Sequence, residues 1–395
     1  VSVAAPDPDV AAPPADRPAE GLWERAGGWN GIVTAAGILA VSRIVQLLLL
    51  VGLDRATEQP AGLRSNLLIW DGGWFLRAAA GYPQGYTYGQ GGELEGNELA
   101  FFPLYPLLIR GLSHLGLDPG SAALAVSWLA SLGAAVALHL LGTTLYGRRS
   151  GYALVVICCT APMSVVLSMA YSESLFIALV AGMLVAAHRR VWWAAGLLGL
   201  ACALTRPTGA AAAVALAVAA ILAVREDPAK KWQPLTAAAV ALAGVPAFLG
   251  WVGWRVGEAD AWFKIQAAEW GTAFDFGSSI LTFLGDTLTT GDGWVPMSVA
   301  LILVAAAVAA GVALAGRPWL PLAVYGVVAM VLVYGQAGYY HSKPRLLLPV
   351  LLTLLPAVVA AGRARPRVAI LAIAAWAAFG LWYGAYMVAV WPYTI

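Results

Sequence analysis

The chain has 395 residues, 61% of them hydrophobic and only 11% charged, with a mean hydropathy of +0.76. So few charges cannot cover a water-soluble globular surface, and a bilayer must be the main solvent. A net charge of +2 and a pI near 8.4 give no reason to expect nucleic acid or another polyanion as partner.

Residues 1–29, rich in Ala, Pro and Asp, have no basic start leading into an apolar stretch. They read as a disordered cytoplasmic tail rather than a signal peptide, ahead of a single transmembrane domain over 30–395. Eleven apolar runs then follow as candidate spanning helices, at 31–53, 119–146, 151–169, 171–187, 191–205, 208–224, 233–255, 294–315, 319–336, 346–361 and 368–390. The expected class is an all-α polytopic membrane protein with amphipathic helices in its outer loops.

Alternate loops carry Arg148 and Arg149; Arg189 and Arg190; Arg225, Lys230 and Lys231; Arg317; and Arg363, Arg365 and Arg367. The positive-inside rule makes these loops cytoplasmic, with the N-terminus inside and the C-terminus outside. The acids gather in the opposite loops, two of which are long, at 54–118 and 256–293. Chemistry is therefore expected on the non-cytoplasmic face. There is no internal repeat of the kind a secondary transporter shows.

The first outer segment holds Trp70-Asp71-Gly72-Gly73-Trp74-Phe75, a Gly/Tyr-rich stretch that reads as flexible, and then Glu98 and Ala100-Phe101-Phe102-Pro103-Leu104-Tyr105-Pro106. A carboxylate between aromatics suits a sugar: the rings stack on its apolar face while the acid takes a hydroxyl proton. Asp71 is thus a candidate general base, and equally a candidate cap for the helix that follows. Glu173, in Tyr171-Ser172-Glu173-Ser174, lies close to hydrocarbon and needs a partner, for which Arg206 is available; the alternative is an acid favoured by a helix N-terminus.

Arg206-Pro207-Thr208-Gly209 places a guanidinium at a break between spans, able to grip a phosphate or to snorkel. Residues 262–271, with Trp262, Phe263 and Trp270, read as an amphipathic surface helix, either an anchor or a lid. His341, Lys343 and Arg345 concentrate positive charge outside, against the general tendency, and imply an anion such as a lipid phosphate. Cys158, Cys159 and Cys202 lie in apolar runs, and His114, His139, His188 and His341 are scattered, so no protein-built metal site is expected. A divalent ion held by Glu93, Glu95 and Glu98 is conceivable but not expected.

In this order the motifs WDGGWF, AFFPLYP, AYSESLF, LTRPTG and HSKPRLLLP, spread over residues 66–350, resemble the bacterial relatives of the PIG-V mannosyltransferases of the GT-C superfamily. The resemblance implies a GT-C-like bundle in a bacterial plasma membrane. It also implies transfer of mannose, with inversion, from a polyprenyl-phosphate donor to a hydroxyl of a lipid-linked or glycolipid acceptor. By that likeness Asp71 matches the catalytic acid group. Arg206, His341, Lys343 and Arg345 would surround the donor phosphate, and Glu173, Trp70, Trp74, Glu98, Tyr105 and Trp270 would shape the sugar and acceptor site. Arg206-Pro207-Thr208-Gly209 departs from the Arg-Ser-Asn-Gly more typical of eukaryotic members, and the acceptor does not carry over. A GT-C enzyme for glucose or arabinose, and a lipid-linked-sugar flippase, are the alternatives.

Overall fold

The computed structural model describes residues 21–395 and is all-α apart from a two-residue hairpin, Thr87–Tyr88 against Leu94–Glu95. Six helices are long and apolar enough to cross a membrane: Gly28–Ala56, Pro119–Tyr146, Gly209–Glu226, Trp232–Val256, Trp294–Ala315 and Pro366–Ala389. The other five apolar runs are helical too, but cut short. Glu173–His188, Trp192–Ala203 and Leu320–Tyr334 are shorter apolar helices, and Tyr340–Leu347 meets Leu351–Arg363 at 76°. The run at 151–169 stops as a helix at Cys159 and resumes as the tight turn Ser164–Leu167.

A broken helix leaves carbonyls without donors, tolerated in a bilayer only where protein supplies them. Arg43, on the first long helix, does this for the break after Cys159. Its guanidinium donates to Ser164 O at 2.6 Å and also to Cys159 O. The neighbouring Gln46 Nε2 reaches Leu381 O at 2.8 Å, tying the first long helix to the last.

The basic loops meet at one end. Arg149 Nη2 donates to Ala364 O at 3.0 Å, Arg190 pairs with Glu226, and His188 packs edge-on against Trp319 with ring centres 5.1 Å apart. The N-terminal segment joins this end, and here the expected tail needs correction. Residues 1–20 lie outside the described part, but Leu22–Arg25 is a helical turn, Leu22 and Ala26 are buried, and Ala26 O accepts from His139 Nε2 at 2.9 Å.

At the other end the first long loop, 54–118, is built around the buried Asp54, whose carboxylate accepts from Asn66 Nδ2 at 2.8 Å and from Ala61 N and Gly62 N at 3.0 Å. The Gly/Tyr-rich stretch expected to be flexible forms the hairpin instead. Buried Asn97 fastens it, donating to Gly85 O at 3.1 Å and Thr87 Oγ1 at 3.3 Å while its Oδ1 accepts from Leu99 N at 3.0 Å. The second long loop, 256–293, holds the expected helix, Ala261–Trp270, and a second one, Ser278–Thr290. Ala261, Trp262 and Ile265 bury the inner face of the former on Leu99, Ala100, Phe102 and Phe248.

Replacing Arg43 by Leu leaves buried carbonyls without a donor and should lower stability by about 2–4 kcal/mol. Gly311→Ala, at a helix position with open space around it, should be neutral or slightly stabilising. Thermal melts of the two variants in one detergent check both outcomes.

Candidate active site

Asp71 opens the helix Asp71–Ala80 directly after Trp70, whose backbone is held at φ 57° and ψ −115°. That region is sparsely populated for a bulky side chain and persists only where the surroundings enforce it. The Asp71 carboxylate does not cap its own helix. Its Oδ2 sits 2.6 Å from Arg345 Nη1.

Arg345 comes from Lys343–Leu347, a single short turn with Pro344 in its first positions. Its guanidinium stands 5.0 Å over the Tyr171 ring, and its Nε lies 3.4 Å from Glu173 Oε1. Glu173 is fully buried at the start of Glu173–His188, and the same Oε1 is 2.7 Å from Arg206 Nη1. Arg206 also donates to Ser172 Oγ at 3.1 Å. The result is a chain of alternating charge, Asp71–Arg345–Glu173–Arg206, drawn from four separate segments.

The Arg206 turn explains the glycine that ends its motif. A Cβ at Gly209 would come within 2.3 Å of Cys202 O, so only glycine lets the chain double back here and leave Arg206 at the bend.

Asp71, Arg206, Lys343 and Arg345 form the charged side of a cavity of about 170 Å³. Trp262, Gln266, Trp270 and Gln336 are among the neutral groups that complete it. Pockets for drug-sized ligands run to roughly 300–1,000 Å³, so this space suits a small polar group rather than a whole lipid.

The other expected site residues are placed as follows. Lys343 lines the cavity, but its Nζ is committed to Val333 O at 2.9 Å and Gln336 O at 2.5 Å, closing the end of Leu320–Tyr334. His341 is not in the wall. It is buried among Tyr339, Tyr340, Trp391 and Tyr393. Glu173 lies behind the wall and holds the two arginines. Trp270 lines the cavity. Trp74 backs it, stacked on Phe101 and edge-on to Trp270, under the Arg77 guanidinium at 3.6 Å.

Glu98 is 3.4 Å from Arg77 Nε, outside the cavity. Tyr105 is wholly buried and bonds Ser127 Oγ at 2.7 Å, a packing role. Trp70 packs against the main core and does not line the cavity. Among the described residues no three His, Cys, Asp or Glu side chains stand together as metal ligands.

Sequence reasoning missed Ser172, Gln266 and Gln336. For Gln266 the signal was present: Trp262, Gln266 and Trp270 recur every fourth residue, which puts them on one face of a helix. That helix is fastened over the site by Trp262 Nε1 and Gln266 Nε2, which donate to Ala100 O at 3.2 and 3.1 Å. At its start, hydrogen bonds from Lys264 and then Tyr86, at 2.5 and 2.8 Å, hold the Glu258 carboxyl below its usual range.

Residues 56–221 match the family model described as Mannosyltransferase (PIG-V). The resemblance read from the order of motifs is borne out over that stretch, which includes Asp71, Glu173 and Arg206 and ends before Arg345. No curated protein matches the chain.

Breaking a buried ion pair by removing one partner typically costs about 3–5 kcal/mol, because the other charge is left uncompensated. Glu173→Ala should therefore destabilise by that order, and adding Arg206→Gln should restore part of the loss. Thermal melts of the single and double variants check it; a double variant less stable than Glu173→Ala contradicts the pairing.

Proposed function

We propose that this PIG-V-like membrane chain is an inverting mannosyltransferase that takes its sugar from a polyprenyl-phosphate donor and gives it to a hydroxyl of a lipid-linked or glycolipid acceptor. Its GT-C-like architecture would carry the site on the non-cytoplasmic face of a bacterial plasma membrane. The observation that supports this reading best is the Asp71–Arg345 pair, set at a cavity lined by guanidiniums together with tryptophans and amides.

The charges balance. Arg206, Lys343 and Arg345 against Asp71 and Glu173 leave one positive charge, and a sugar phosphodiester brings one negative charge. Glu173 keeps both guanidiniums at the wall, where burial strengthens their effect on the phosphate. Lys343 adds its charge while its Nζ stays on the carbonyls of the neighbouring helix end.

As Arg345 turns toward the phosphate, the Asp71 carboxylate is released from its 2.6 Å partner and is free to take the acceptor's proton. Donor binding thereby arms the group that activates the acceptor. The acceptor oxygen attacks the anomeric carbon from the face opposite the phosphate and its proton passes to Asp71. The bond from the anomeric carbon to the phosphate oxygen breaks, and polyprenyl phosphate leaves carrying the electron pair. The transition state is oxocarbenium-like, as in inverting glycoside chemistry. Phosphate is already a good leaving group, so no general acid is required.

Asp71→Asn keeps the shape of the side chain and removes the base, which should lower transfer by roughly 10²–10⁴. The assay is transfer of label from polyprenyl-phosphate-mannose into a total lipid extract by purified enzyme in detergent, with and without EDTA. Near-normal transfer by Asp71→Asn would remove it from the mechanism. Label crossing vesicles with no new glycolipid would mark a flippase, and loss with EDTA would bring in a metal.

A further inference from the structure

The helix Ala261–Trp270 turns three side chains toward the cavity, Trp262, Gln266 and Trp270, spaced one every fourth residue. None of the three is charged. Asp71, Arg206, Lys343 and Arg345 belong to other segments, so this helix brings only neutral groups to a cavity whose charges come from elsewhere in the chain. A sugar phosphate has the same division, with its charge at one end and hydroxyls and C–H faces at the other. Aromatic rings serve the C–H faces and an amide serves the hydroxyls, since its oxygen accepts and its nitrogen donates.

Gln266 is held so that it can read hydroxyls. One N–H of its Nε2 is spent on Ala100 O at 3.1 Å, which fixes which way the amide faces. The second N–H and the carbonyl oxygen have no partner among the described residues, although the side chain is only partly exposed. The helix itself cannot drift. Trp262 shares the same Ala100 carbonyl, Gly96 N donates to Glu269 Oε2 at 3.3 Å, and Ile265 is fully buried.

We infer that Gln266 is a specificity-determining residue that hydrogen-bonds the hydroxyls of the hexose while the arginine side holds the phosphate. This rests on the donor reading given above. It adds to that reading which element tells one hexose from another: the helix Ala261–Trp270, outside the stretch matched to the family.

The test uses soluble head groups and the full-length protein in detergent. Mannose 1-phosphate, glucose 1-phosphate and inorganic phosphate are titrated into wild type, Gln266→Met and Gln266→Leu, reading tryptophan fluorescence from the site. Wild type should bind mannose 1-phosphate more tightly than inorganic phosphate and discriminate it from glucose 1-phosphate. Both variants should lose roughly five- to tenfold of that advantage, the worth of one hydrogen bond, while binding inorganic phosphate as wild type does.

A thermal melt within a few degrees of wild type for at least one variant separates this from misfolding. An unchanged sugar preference in a folded variant overturns the inference, as does a wild type that binds the three ligands alike. If wild type discriminates the sugars but transfers no label from the lipid donor, the proposed reaction fails and the role of Gln266 stands.

Discussion

Glu173 is a carboxylate with no solvent exposure, within reach of two guanidiniums that come from segments far apart in the chain. A charge in that position is tolerated only while both partners stay in place. The constraint therefore acts on backbone as much as on side chains. It fixes the bend at Arg206, the short turn that presents Arg345, and through Arg345 the carboxylate of Asp71. Glu173 takes no direct part in the proposed chemistry, yet it holds Arg206 and Arg345 and, through Arg345, Asp71.

The interrupted helices serve the same end. Trp192–Ala203 stops just before Arg206, Glu173–His188 starts at Glu173, Leu320–Tyr334 runs out into Gln336, and Tyr340–Leu347 breaks off shortly after Arg345. Where these helices fall short, the space they leave is the cavity. Irregular backbone at membrane depth has to be buried in protein or line such a space. Arg43 and Lys343 show how the freed carbonyls are satisfied, each by a cation.

Much of this was legible beforehand. Hydropathy located all eleven apolar runs, but it measures composition over a window and could not show that five of them are too short or too bent to cross unaided. Asp71, Arg206 and Arg345 could be singled out because ionisable groups beside hydrocarbon need a reason to be there. Lys343 has the same signature, yet its charge closes a helix end, and nothing local in the sequence distinguishes that duty from holding a phosphate. His341 turns away because the tight turn Tyr340–Ser342 points consecutive side chains in different directions, a detail of backbone geometry that residue type does not encode. The hairpin was hidden because its anchor, Asn97, lies outside the glycine-rich stretch it organises.

The short helix Trp192–Ala203 also sets a depth. It has 12 residues and rises only about 18 Å along its axis. The hydrocarbon slab is about 30 Å thick. If the start of this helix marks one surface of that slab, its end falls short of the other, and the chain turns there into Arg206. An activated sugar drawn down to it would leave bulk water behind. On the proposed reaction, competition between a lipid hydroxyl and a water molecule for the anomeric carbon would then be decided by immersion before any catalytic group acts, and one short helix would be the element that sets it.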